Sequence, residues 1–136
     1  MKALLTLMAV LEATVGLALL ASPALPVSIL LGAPLDTPVG LSVGRVAGAA
    51  LVALGIACWC VRHDGRSRSA TGVVTSMMFY NVLVVAVLMY ARLGLGVKGI
   101  GLRPAVFLHL VLAAWCITCV FGPVRTTTVE TPVRRP

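Results

Sequence analysis

The sequence has little charge: Asp, Glu, Lys and Arg make up 11% of its 136 residues, against roughly 25% in soluble globular proteins. With 60% hydrophobic residues, a water-soluble fold of this size could not hide its apolar surface. The chain also lacks a concentrated basic face, although its net charge is +7 and its pI about 10.1. Phosphate recognition on nucleic acid needs such a face, so that partner class is excluded. The basic residues instead gather at the ends of apolar runs, as topology signals do, where anionic lipid headgroups attract them. There is no convincing catalytic set.

What the chain has in abundance is apolar sequence. A mean hydropathy of +1.06 makes lipid the expected solvent, in which about 20 apolar residues form one spanning helix. Four such stretches occur, at 3–21, 41–61, 70–90 and 104–121. Each covers roughly 27 to 32 Å at the helical rise. Ser22, Pro23 and Pro26 end the first, residues 62–69 form a polar turn, and Pro104 falls in the first turn of the fourth, where proline is tolerated. Short connections imply an all-α antiparallel four-helix membrane bundle over residues 1–125, followed by a polar tail over 126–136. Residues 25–31 are too short to cross and predict an interfacial segment.

Lys2, Arg62, Arg66, Arg68, Arg125, Arg134 and Arg135 fall on one side of this arrangement, and Arg45, Arg92, Lys98 and Arg103 on the other. The excess predicts both termini in the cytoplasm. A secretory signal is an alternative reading of the first helix, with Met1-Lys2, an apolar run and Ala-Ser-Pro-Ala, but Glu12 in the middle of the run opposes it.

Gly40, Gly44 and Gly48 repeat at four-residue spacing, and Gly55 continues the stripe. In lipid such spacing lets backbones approach closely. The stripe packs either on Ala9, Ala13 and Gly16 of the first helix or on another chain. The loop Gly94-Leu95-Gly96-Val97-Lys98-Gly99 spells G-x-G-x-x-G, but a membrane helix precedes it where a nucleotide-binding loop needs a strand. A tight turn is the expected role.

Glu12 lies near mid-span, where an ionised carboxylate costs at least roughly 2.5 to 3.5 kcal/mol and needs a partner or a proton. Arg45 on the second span is the expected partner, with an axial gap of roughly 9 Å at the helical rise. Asn81 and His109 complete a candidate polar pocket with these two. Either this is a proton or ligand site, or Glu12 and Arg45 form an ion pair that fixes helix register. His63 and His109 lie roughly 20 Å apart in depth, so one haem iron cannot use both, and no cofactor is expected.

Cys58, Cys60, Cys116 and Cys119 fall near the same ends of the second and fourth spans, beside Trp59 and Trp115. A CxxC pair can serve as a redox dithiol or metal ligand, as in quinone-linked thiol oxidoreductases with four membrane helices. Cys58 and Cys60 are about 200° apart around a helix while Cys116 and Cys119 share a face. Four-fold ligation of one zinc is therefore awkward. Buried apolar packing is the alternative role.

The Ala21-Ser22-Pro23 end of the first helix, the Leu30-Leu31-Gly32 stretch and Gly44-Arg45-Val46-Ala47-Gly48 opening the second span resemble small bacterial four-helix membrane proteins of the DoxX-like kind. The resemblance implies a bacterial inner membrane and supports the architecture. Three functional readings follow. The leading one is a non-catalytic accessory or scaffold subunit packing on other membrane proteins, or on copies of itself, through the glycine-rich second span. The others are a thiol redox or metal-handling protein, and a carrier of a proton or small ligand at Glu12, Arg45 and His109.

Overall fold

The computed structural model describes residues 1–122; the tail expected over residues 126–136 lies outside the described residues. Five helices follow one another: α1 (Lys2–Ala21), α2 (Ala24–Leu31), α3 (Pro38–Val61), α4 (Arg68–Leu93) and α5 (Leu102–Phe121). The fold is all-α, with no strand among the described residues. Every helix but α2 is long and apolar enough to cross a membrane.

Local chemistry sets the boundaries. Thr37 accepts a hydrogen bond from the Gly40 N–H at 3.1 Å, and Pro38 occupies the first turn, so α3 begins three residues before the hydropathy alone predicts. Ser67 accepts from the Ala70 N–H at 3.0 Å and starts α4 two residues early for the same reason. The interfacial segment expected at 25–31 is the short helix α2. Gly32 ends it in the left-handed region, at φ 71°, with its N–H donating to the Ser28 carbonyl. That conformation suits glycine.

α1 and α3 form one tightly packed antiparallel pair, α4 and α5 a second, and thinner contacts join the two pairs. The glycine stripe makes the first pair. A Cβ placed on Gly48 would lie 2.7 Å from the Gly16 carbonyl oxygen, and one on Gly16 would lie 2.7 Å from that of Gly48. Gly55 meets Ala9 and Ala13, and Gly44 meets Pro23. Gly40 faces Leu35 and Thr37 in its own approach loop. Of the two alternatives for the stripe, packing within the chain uses Gly44, Gly48 and Gly55.

The G-x-G-x-x-G stretch is a turn. Gly94 caps α4, Gly96 adopts φ 68°, and Gly99 abuts the backbone of Leu30 and Gly32. The Gly101 N–H donates to the Ile29 carbonyl at 2.9 Å. These contacts tie α2 to the start of α5.

At the opposite end the core comprises Leu4, Leu5, Met8 and Ala9 of α1, Cys58 of α3, Val74 and Met77 of α4, and Leu112 and Cys116 of α5. Large apolar side chains such as Leu17, Val46, Phe79, Leu83 and Phe107 are exposed around the bundle. In water such a surface would associate; in lipid it is in its proper solvent. Ser42, Thr75 and Ser76 donate back to carbonyls four residues earlier, and so satisfy their hydroxyls without an external partner. The chain is a small multi-span membrane protein.

Arg66, in the α3–α4 connection, donates to the carbonyls of Val120 at 2.9 Å and Gly122 at 3.0 Å. Val120 is in the last turn of α5 and Gly122 is its C-terminal cap, where unpaired carbonyls and the negative end of the helix dipole favour a cation. Arg66→Ala is expected to lower stability by about 1 kcal/mol, solvent screening included. Arg66→Lys should recover only part of it, because an ammonium cannot span two carbonyls as a guanidinium does. Unfolding in mixed detergent micelles reads both.

Candidate functional site

Each spanning helix buries a stripe set by its period. On α1 the stripe contains Leu5, Met8, Ala9, Glu12 and Gly16; on α4 it contains Val74, Met77, Asn81 and Leu88. On α5 it contains Leu112, Ala113 and Cys116, with His109 one turn before them on the same face. Glu12, Asn81 and His109 therefore point inward because they occupy core positions of the helical repeat.

Their polar atoms are joined in two groups. Asn81 is fully buried; its Nδ2 donates to the Met77 carbonyl at 2.7 Å, and its Oδ1 lies 2.7 Å from Nδ1 of His109. Since the amide nitrogen is engaged by a carbonyl, Oδ1 is the acceptor and Nδ1 of His109 carries the hydrogen. That tautomer leaves Nε2 as the basic nitrogen of the ring.

The second group centres on Tyr80, the neighbour of Asn81. Its hydroxyl donates to Oε2 of Glu12 at 3.4 Å, long for an O–H···O bond and thus a weak tether. Its ring meets His109 edge-on, with centroids 6.0 Å apart and planes at 77°. This is a favourable aromatic arrangement. Tyr80 thus brings the carboxyl of α1 and the imidazole of α5 to one ring.

Charge and hydropathy along the chain do not single out Tyr80. The available signal is its place halfway along α4, where a phenol deep in a bilayer needs a partner for its hydroxyl.

Arg45 stands apart from this group. The register set by Gly16 against Gly48 and by Gly55 against Ala13 places Glu12 beside the stretch between Val52 and Gly55. Arg45 lies next to Gly44, at the level of Pro23, and its side chain is exposed. The expected pairing takes depth into account but not azimuth: Arg45 is turned about 100° from Gly44, which lies on the face that meets α1.

The cysteines divide by burial. Cys58 and Cys116 are buried in one core cluster, Cys60 is exposed on α3, and Cys119 is half-buried. All four are free thiols. Among the described residues no group of three or more His, Cys, Asp or Glu side chains is arranged to hold a metal ion. His63 is exposed in the turn after α3, far from His109.

No family model, curated protein or solved structure matches the chain. What the chain shows of the expected resemblance is its four long apolar helices, those of a small four-span membrane protein.

Proposed function

We propose that the chain is a proton-handling membrane protein in which Glu12 binds and releases a proton in the middle of the bundle. The observation that carries this reading is that Glu12, 5% exposed and mid-span, faces a phenol instead of a cation. A proton removes the charge that the bilayer makes costly, and the long Tyr80 contact lets the carboxyl change state without breaking a strong pair. Nε2 of His109, whose ring meets Tyr80 edge-on, offers a second proton position. Asn81 acts by positioning that imidazole.

The test is proton flux into proteoliposomes carrying an internal pH-sensitive dye, driven by a potassium diffusion potential. Glu12→Gln keeps the acceptor for Tyr80 and the shape of the side chain. It should lower flux on the order of a hundredfold, as loss of an essential proton-transferring group does. Tyr80→Phe should have a smaller effect. Flux through wild-type protein no greater than that of empty liposomes, or unchanged in Glu12→Gln, overturns the reading.

A second reading, an accessory subunit, rests on a different observation. A groove of about 450 Å³ runs between α3 and α4, lined by Ala57, Ser69, Gly72 and Ser76 together with larger residues that include Arg68 and Met77. The four small residues would let a partner's helix approach closely. Gentle extraction from native membranes followed by sizing and mass spectrometry should then recover a stoichiometric membrane protein; a small particle without partners counts against this role.

A further inference from the structure

We propose that the end of the bundle carrying Lys2 holds a binding site for one anionic phospholipid. A cavity of about 710 Å³ opens there, lined among others by Lys2, Arg62, His63, Arg66 and Cys119. Three cations thus converge from α1 and the α3–α4 connection. Asp64 of the same connection is exposed and is not part of this lining.

The two guanidiniums are held in place. That of Arg62 lies 3.5 Å over the Trp59 ring and donates to the Trp59 carbonyl, while Arg66 is fixed on the end of α5. A guanidinium has five N–H donors, so each retains some for phosphate oxygens. Basic pockets between membrane helices at headgroup level suit this chemistry.

Two apolar grooves select a lipid over a soluble phosphate. One, of about 610 Å³, shares Lys2 with the cavity and continues along Ala3, Thr6, Leu7 and Val10. It runs roughly 12 Å towards mid-span at the helical rise. The other, of about 280 Å³, lies between α1 and α3 along Val10, Ala13, Gly55 and Ile56, and reaches the Trp59 ring that carries Arg62. A charged head site with one apolar groove opening from it at Lys2, and a second beginning at the Trp59 ring that carries Arg62, matches a diacyl phospholipid.

The experiment is native mass spectrometry of the full chain released from nanodiscs of mixed phosphatidylglycerol and phosphatidylcholine. Wild type should retain phosphatidylglycerol in excess over its share of the disc. The double variant Lys2→Gln/Arg62→Gln should retain less, by roughly fivefold for each cation removed. Arg103→Gln, at the other end of the bundle, should retain the wild-type amount. Val10→Trp, which blocks both grooves while keeping the cations, should also lose lipid and guards against misfolding of the double variant. Equal retention of the two lipids by wild type overturns the site. So does unchanged retention in Val10→Trp, or displacement of the lipid by equimolar glycerophosphate, which shares the head chemistry but has no acyl chains.

Discussion

Gly48→Leu is expected to destabilise the α1–α3 pair strongly, with a loss of about 3 kcal/mol or more. The reason lies in what surrounds the added atoms. A Cβ at Gly48 would sit 2.7 Å from the Gly16 carbonyl oxygen and 2.9 Å from the Leu20 nitrogen. Both belong to helix backbone, which cannot step aside as a side-chain tip can. The helices must separate, and in lipid that forfeits the dispersion contacts that hold them, since apolar solvent offers no hydrophobic return. Gly72→Leu is the internal control: a Cβ there has no neighbour within 4 Å, and its cost should stay within about 0.5 kcal/mol. Unfolding in mixed micelles, followed by helical circular dichroism, measures both. A Gly48→Leu protein as stable as Gly72→Leu would disprove the α1–α3 contact.

The second large effect is expected at Asn81. Asn81→Leu keeps the approximate volume of a fully buried side chain but removes the acceptor for Nδ1 of His109. The imidazole N–H is left without its partner, at a cost of about 1–3 kcal/mol. The functional consequence separates positioning from stability. Without Oδ1 the tautomer of His109 is no longer specified, so its ring ¹⁵N shifts should change from one tautomer to a mixture. Proton flux should fall as well, if the carboxyl–phenol–imidazole group carries it. An unaltered tautomer in Asn81→Leu would remove Asn81 from the site. Unchanged flux alongside an altered tautomer would confine the role of Asn81 to the fold.

Much of this site is legible in the sequence itself, and the reason is periodicity. Glu12, Asn81 and His109 are polar groups within apolar runs, where each is conspicuous because the bilayer penalises it. Tyr80 is concealed by its ordinary appearance beside Asn81, and its role depends on the rotation of α4 against α1, two helices far apart in the chain. Arg45 fails as a partner for the complementary reason. Its depth can be reckoned from residue counts, but its direction depends on which face of α3 meets α1. The glycine stripe holds that information, since Gly44, Gly48 and Gly55 mark the contact face and Arg45 lies off it. Choosing α1 over another chain as the occupant of that face required the packed structure.

The helix ends show the same contrast on a smaller scale. Arg66 reads as one more positive charge of a polar turn, yet it caps a helix end more than fifty residues downstream, with its donors on Val120 and Gly122. Local capping by Thr37 and Ser67, in contrast, involves residues three apart and can be read directly from the sequence. Composition and hydropathy by themselves determined the solvent, the four spans and the all-α class, because lipid forces each crossing segment to satisfy its own backbone. Which polar groups meet was decided only by tertiary structure, because helix rotation and register arise from close contacts between residues distant in the chain, and a period read along one helix carries no measure of its angle to the next.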